Sequence, residues 1–246
     1  QEVTLTDEEI VRRSQEAFFS AGDDMKARVV MVLINKAGKE RVRELTMLRK
    51  DLKKEEQKYF TYFHRPADVR GMTFMVWKYS GRDDDRWLFV PAIKLVRRIA
   101  ADDSRSSFVG SDFTYEDVSG RDLAADTHTL TGGETVDGKD CHTVESVPKQ
   151  GKGAEYRRKV SWIDKETFLP LKEAYYNRRD EVYRTFAANQ VEEVTGLPTV
   201  VKRTVMDVKK GHRTEVTYES VEYNVGLPED LFTERYLRRP PAKWIR

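Results

Sequence analysis

Short segments with a two-residue hydrophobic period follow one another through most of the chain, and short turns separate them. These segments are residues 27–36, 40–49, 57–65, 69–79, 127–136, 140–148, 156–164, 169–178, 182–194, 197–209 and 212–223. A period of two is typical of β-strands whose side chains alternate between two faces. Consecutive strands joined by short turns pair antiparallel, so each strand is expected beside the one before it. The sequence therefore predicts an antiparallel meander.

Two of the predicted strands are apolar on both faces, at residues 29–34 and 72–77. A half-exposed antiparallel strand would alternate, so something must cover the second face here. About 10–11 strands is the number at which an open twisted sheet curls, and curling leaves a concave face that helices or a ligand must fill. The predicted fold class is mainly β (α+β). It is one curved antiparallel sheet of about 10–11 strands, a half-open barrel whose concave face a few helices cover.

Helices are predicted at both ends of this sheet. Thr6 and Glu9 have capping-box spacing before an apolar stripe, which predicts a helix over about 6–22. A run of Pro228, Glu229 and Asp230 predicts a short helix over about 228–237. The sheet is expected to occupy about 27–225, and residues 1–246 are expected to form one domain, since β-domains of this length are often undivided.

The stretch from residue 86 to residue 99 predicts two further short strands. Trp87 and Phe89 fall on one face of the first, and residues 95–99 form the second. Trp77, Trp87 and Trp162 each have apolar neighbours two residues away, so all three are expected to be mostly buried.

An aromatic segment, residues 108–115, follows these strands, and its spacing fits no regular strand. Ser111 and Asp112 are good helix-opening residues. Phe108, Phe113 and Tyr115 are large aromatic groups that must be buried against something. The segment is expected to act as a plug over the concave face, and the alternative is a long loop pinned to an ordinary core.

The charge balance argues against a nucleic-acid partner. The chain has 44 basic and 42 acidic side chains, a formal charge of +2, and release of counterions from nucleic acid needs a larger basic surplus. Short basic pairs such as Arg97-Arg98 lie near acidic residues and are typical of solvated strand edges. No apolar run approaches the ~18 residues that cross a bilayer. The lone Cys141 excludes an intramolecular disulfide.

The residues that could carry catalysis or bind a metal are scattered. The four histidines lie far apart, without metal-ligand spacing. Cys141 and His142 are the one pair that resembles a nucleophile and base, but neighbours on a strand point to opposite faces. Asp112, Glu116 and Asp117 could bind a cation, although helix capping is favoured for them. We therefore predict no catalytic residue, no metal and no cofactor.

Three stretches resemble a known family. They are FVGSDFTYEDV at residues 108–118, KVSWIDKETFLPLKEAYY at 159–176, and the run from GLPTVV to PEDLF at 196–232. They resemble the outer-membrane lipoprotein-sorting proteins, a branch of the LolA/LolB-like lipoprotein-localisation superfamily. The resemblance implies a curved antiparallel half-barrel covered by helices, with an apolar cavity that receives acyl chains. It also implies export to the periplasm of a Gram-negative bacterium, with a signal peptide removed before Gln1.

The resemblance implies a monomeric carrier or chaperone for the acyl chains of lipids or lipoproteins. An inner-membrane transporter or outer-membrane acceptor would be its protein partner. Burying one methylene group contributes about 0.8 kcal/mol, so an acyl chain that is moved between membranes needs an apolar cavity that shields it from water. Residues predicted to line the cavity are Val30, Val32, Phe74, Val76, Trp87, Phe89, Phe108, Phe113, Tyr115, Trp162 and Tyr175. The alternative is a non-enzymatic envelope sensor or adaptor that binds a regulator or transporter through its exposed edges.

Overall fold

A computed structural model describes residues 4–246. Thirteen antiparallel strands form one sheet. The strands are β1 (Asp24–Ile34), β2 (Glu40–Asp51), β3 (Gln57–Arg65), β4 (Thr73–Lys78), β5 (Asp85–Val90), β6 (Leu95–Ile99), β7 (Asp126–Val136), β8 (Lys139–Pro148), β9 (Arg158–Asp164), β10 (Pro170–Tyr176), β11 (Val182–Val194), β12 (Leu197–Asp207) and β13 (His212–Tyr223). The predicted single curved antiparallel sheet is confirmed. Its strand count was underestimated, because the short strands β5 and β6 are full members of the sheet.

The order of the strands explains how the concave face is covered. The chain runs outward from β1 to the edge strand β6, and later returns from the opposite edge strand β7 to β13, which pairs with β1. The sheet is not closed, since β6 and β7 are its two edges. Residues 100–125, here called the crossing segment, must therefore span the sheet from one edge to the other. This requirement comes from connectivity alone.

Each face of the first six strands has its own apolar core. On the concave face, Phe108 and Tyr115 of the crossing segment pack with residues such as Phe74 and Val29. On the convex face, residues 224–246, here called the C-terminal segment, cover Phe60, Met75 and Trp87. Both faces of β4 are therefore covered, as its apolar run predicted, whereas the second face of β1, with Val30 and Val32, is only partly buried.

The first helix, α1 (Asp7–Phe19), lies across the concave side. Thr6 Oγ1 accepts the Glu9 N–H at 3.2 Å and caps it. The helix ends three residues earlier than predicted because Arg49 and Gln57 of the sheet donate to the Phe19 carbonyl, at 2.6 and 2.9 Å. These bonds hold the last turn against β2 and β3.

The predicted C-terminal helix over 228–237 is broken. A 3₁₀ turn at Glu229–Leu231 is followed by two short helices, α3 (Glu234–Arg238) and α4 (Ala242–Ile245). The break falls at Phe232, whose ψ of 63° is not helical and whose ring is fully buried against the convex face. Burial of this ring decides the backbone path.

The helix in the crossing segment, α2 (Tyr115–Ser119), does not begin at Ser111 or Asp112 as predicted. Thr114 and Asp117 form its capping box. Asp112 instead accepts a hydrogen bond from the Thr214 hydroxyl at 2.8 Å, so it fastens the segment to β13.

Candidate functional site

The concave face contains a partly open, mainly apolar cavity of about 90 Å³. Three of the six methionines of the chain, Met25, Met31 and Met47, line its floor. Phe18 of α1 and Phe113 of the crossing segment close it from above. Methionine side chains are flexible and polarisable, so such a floor adapts to apolar groups of different shape.

A second, polar chamber of about 140 Å³ lies beside the apolar cavity. Phe18 and Phe113 line both spaces, so these two rings form the wall between them. The polar chamber lies against β7 to β11, and Asp126, His128 and Tyr175 are among its lining residues. Polar groups thus gather over β7 to β11, beside apolar clusters that include Phe186 and Val205.

Two arginines of the polar chamber, Arg121 and Arg184, are paired with carboxylates. Arg121 donates to Asp126 at 3.0 Å, and the Tyr156 hydroxyl donates to the same carboxylate. Burial, followed by the Asp126 charge, raises the pKa of Tyr156 well above its ordinary value, so the phenol stays protonated. Arg184 pairs with Asp117 and lies 4.8 Å from the Tyr175 ring centroid. The charges of Arg121 and Arg184 are therefore already balanced within the chamber.

His128 adds no charge to this chamber. Its Nε2 faces the Leu123 carbonyl at 2.9 Å, and its Nδ1 lies 2.7 Å from Ser146 Oγ. A carbonyl can only accept, so Nε2 carries the proton and Nδ1 accepts from the serine. Burial lowers the pKa of His128, which favours this neutral form.

Polar contacts fasten the crossing segment to the sheet between Val109 and Gly120. Arg43 donates to the Val109 carbonyl, and Lys78 donates to the carbonyls of Ser119 and Gly120 at 2.9 and 2.8 Å. Arg184 binds Asp117 between these points. Moving the segment would leave these buried cations without partners, at a cost of several kcal/mol.

Helix α1 is attached less tightly. Among its thirteen residues only Ile10 and Ser14 are buried. Outside its last turn, the Asp7 carboxylate accepts the Leu130 N–H at 3.0 Å and the Gln15 amide donates to the Arg121 carbonyl at 2.6 Å. Elements with few buried contacts open at lower free energy than well-packed ones.

The structure places six of the predicted cavity residues on the concave side: Phe74, Val76, Phe108, Phe113, Tyr115 and Tyr175. Phe108 and Phe113 line the apolar cavity, and Phe113 and Tyr175 line the polar chamber. Phe74, Val76 and Tyr115 belong to the packed core next to the cavity. The Phe74 ring lies 5.4 Å from Phe108 and 5.2 Å from Tyr115, between centroids.

The other five predicted residues, Val30, Val32, Trp87, Phe89 and Trp162, do not line either space. Val29 and Met31 line the apolar cavity, so Val30 and Val32 alternate to the opposite face. Trp87 and Phe89 pack on the convex face under the C-terminal segment.

Trp162 points away from the polar chamber. Its neighbours Ser161 and Ile163 line that chamber, and successive side chains of a strand point to opposite faces. Its indole N–H donates to Glu134 at 2.7 Å. Of the three tryptophans expected to be mostly buried, Trp87 is 9% exposed, and Trp77 and Trp162 are partly buried.

The prediction missed the methionine floor, Phe18 and the paired charges of the chamber. A signal for the floor was present. Lys26 and Arg28 alternate with Met25, Ala27 and Val29, and two charges on one side of a strand mark the face that is less buried. The Arg184–Asp117 pair had no comparable signal, because its two residues are 67 positions apart in sequence.

Two general properties bear on the site. None of the helices within residues 4–246 is long and apolar enough to cross a membrane. Over that same range, no group of three or more histidine, cysteine, aspartate or glutamate side chains is arranged to hold a metal ion.

Comparison with known proteins places the chain in a family. A family model described only as an uncharacterized protein matches residues 55–239. The structure of a DUF1329 family protein from Desulfovibrio piger is 33% identical, with a TM-score of 0.85 over 93% of this chain and 95% of that one. No curated protein matches the chain.

Two further structures share the fold. A structure described as a "putative outer membrane lipoprotein-sorting protein domain" from Vibrio parahaemolyticus is 26% identical, with a TM-score of 0.87 over 95% of this chain and 98% of that one. A LolA superfamily protein from Nitrosomonas europaea is 19% identical, with a TM-score of 0.74 over 95% of this chain and all of that one. The resemblance predicted from the sequence is confirmed. The chain belongs to the DUF1329 family and has the fold of the LolA superfamily.

Proposed function

We propose that this protein is a periplasmic carrier that holds the acyl chains of lipids or lipoproteins during envelope trafficking. The observation that supports it most is the methionine-floored apolar cavity, which Phe18 and Phe113 close from two different covering elements. The similarity to a lipoprotein-sorting protein domain agrees with this role. The acyl chain would pass between an inner-membrane transporter and an outer-membrane acceptor, with the carrier acting as a monomer.

The cavity must enlarge before it can take such a chain. An apolar cavity of ~150 Å³ accommodates benzene. The apolar cavity here, at about 90 Å³, is smaller than that. A long acyl chain therefore enters only if the rings of Phe18 and Phe113 give way, and each apolar contact that is lost is replaced by one to the chain. Such an exchange keeps the net affinity moderate, which a carrier needs for release.

We propose that α1, rather than the crossing segment, moves to admit the chain. The crossing segment is the expected plug, but Arg43, Lys78 and Arg184 hold it with buried polar bonds. Helix α1 is fixed at its last turn by Arg49 and carries Phe18 on that same turn. Release of the rest of α1 would let the helix turn about its own long axis, which would swing the Phe18 ring out of the cavity while the crossing segment stays in place.

Titration with a fluorescent fatty acid tests the carrier function. Hydrogen exchange with and without this probe tests which element moves. Saturable binding in the micromolar range is expected, together with faster exchange in residues 7–17 and unchanged exchange in 104–119. Absence of binding would refute the carrier function and favour the envelope sensor or adaptor. That alternative needs no ligand, because the protein's own side chains can fill the concave face. Binding with faster exchange confined to 104–119 would show that the crossing segment moves instead.

A further inference from the structure

The two edges of the sheet differ in how far they are protected. Edge strand β6 has five residues, including Arg97 and Arg98, and Arg238 of the C-terminal segment donates to the Lys94 carbonyl beside it at 3.0 Å. Charged side chains and covering segments are the usual protection of an edge. Edge strand β7 has eleven residues, with neither lysine, arginine nor proline. Within residues 4–246 no strand pairs with its outer side.

The outer side of β7 presents free backbone groups. Asp137 and Gly138, both with positive φ, form the two-residue turn to β8, and Val136 pairs with Lys139 across it. Residues that flank such a turn bond to each other, and the pairs alternate from there. The N–H and C=O groups of Thr135 and Gly133 therefore point away from β8, into solvent.

Farther along the strand, α1 occupies one of these outward groups. The Leu130 N–H donates to the Asp7 carboxylate at 3.0 Å. The carboxylate takes the place that the carbonyl of another strand would fill. The same strand contributes Asp126 and His128 to the wall of the polar chamber, and α1 covers that chamber. Movement of α1 would therefore open the chamber and free the edge of β7 together.

We propose that β7 binds the extended polypeptide of an acylated protein as an added strand, while its acyl chain occupies the concave face. This inference rests on the carrier function proposed above, because the chamber wall and the free edge belong to the same strand. The exposed side chains around the free groups, Thr131, Thr135 and Glu134, fit a segment of small, mostly uncharged residues. Recognition through the backbone would serve cargoes of different sequence.

The test uses a synthetic diacylated lipopeptide with an eight-residue tail of serine, threonine and glycine. The comparison ligand has the same acyl chains and a tail that is N-methylated at alternate residues. The protein variants are Thr135→Pro, which removes one outward N–H at an edge that tolerates proline, and the matched control Thr135→Val, which keeps it. Thermal melting confirms that each variant is folded.

Wild type and Thr135→Val should bind the lipopeptide about tenfold more tightly than Thr135→Pro does, since one backbone hydrogen bond and its neighbours are lost. Wild type should likewise prefer the unmethylated tail, a readout that does not depend on any variant. All three proteins should bind the fatty-acid probe equally. Equal affinity for both tails would overturn the proposal while leaving the carrier function in place. A wild-type dimer that Thr135→Pro dissociates would overturn it in favour of a second copy. Failure of the wild type to bind the fatty-acid probe would refute the carrier function itself.

Discussion

Replacing Phe18 with alanine tests whether this ring competes with an acyl chain for the concave face. Truncating a fully buried phenylalanine costs about 3–5 kcal/mol. Phe18 is partly buried, with its ring 5.8 Å from that of Phe186 and 4.7 Å from the Arg203 guanidinium. Half of the full cost, about 2 kcal/mol, is therefore expected for the free protein. Chemical denaturation measures this loss.

The effect on binding should have the opposite sign. If the ring must leave before the chain enters, the bound protein has already lost these contacts, and Phe18→Ala no longer has to break them. An acyl probe should then bind at least about tenfold more tightly to Phe18→Ala, because about 1.4 kcal/mol corresponds to a factor of ten. Saturating probe should bring the unfolding free energies of wild type and variant close together.

The matched control is Phe232→Ala on the convex face, where the ring is fully buried far from both cavities. It should destabilise the protein by about 3–5 kcal/mol without changing probe affinity. Unchanged or weaker probe binding by Phe18→Ala, in protein shown to be folded, would refute the competition between ring and chain.

Three other perturbations probe the fold around the site. His64 is partly buried beside Thr46, and burial lowers its pKa to about 4. As the pH falls, the unfolded chain therefore takes up this proton at a higher pH than the folded protein does. The contribution of neutral His64 to the free energy of unfolding should be fully present above about pH 6.5. It should fall by about 1 kcal/mol by pH 5, a value that allows for the partial exposure of the ring. Denaturation curves of His64→Gln should lack this pH dependence. Arg184→Met should cost about 3 kcal/mol by leaving Asp117 unpaired, and adding Asp117→Asn should recover part of it in a double-mutant cycle. Thr6→Ala removes the cap of α1, so it should cost about 1 kcal/mol and speed probe entry in stopped-flow traces.

Local sequence determined most of the strands and their order within two runs, β1 to β6 and β7 to β13. Period-two segments joined by tight turns pair with their neighbours. The capping of α1 by Thr6 is equally local. These features depend on residues within a few positions of each other, so the pattern alone predicts them. The pairing of β1 with β13, which makes β6 and β7 the two edges, joins distant parts of the chain, so the expectation that every strand lies beside the one before it is wrong between β6 and β7.

Local sequence could also have assigned the faces of β1 but not those of β5. Lys26 and Arg28 mark the outer side of β1. In β5, by contrast, Trp87 and Phe89 look like an inner face, and Arg86 looks exposed. The structure buries Arg86 to 5% exposure beside Asp84 and turns the two aromatics to the convex side. A period of two assigns the residues of a strand to two faces, but it does not say which face is concave and which is convex.

Only the tertiary structure decided which face each segment covers and where the charges meet. Trp77 donates to the Phe232 carbonyl across 155 residues, and Arg184 reaches Asp117 across 67. A convex core exists because the C-terminal segment folds back onto it, and the polar chamber exists because the crossing segment brings Asp117 to Arg184 and Arg121 to Asp126. Such contacts leave no periodic signal, because their free energy depends on chain segments that become neighbours only after the sheet has curled.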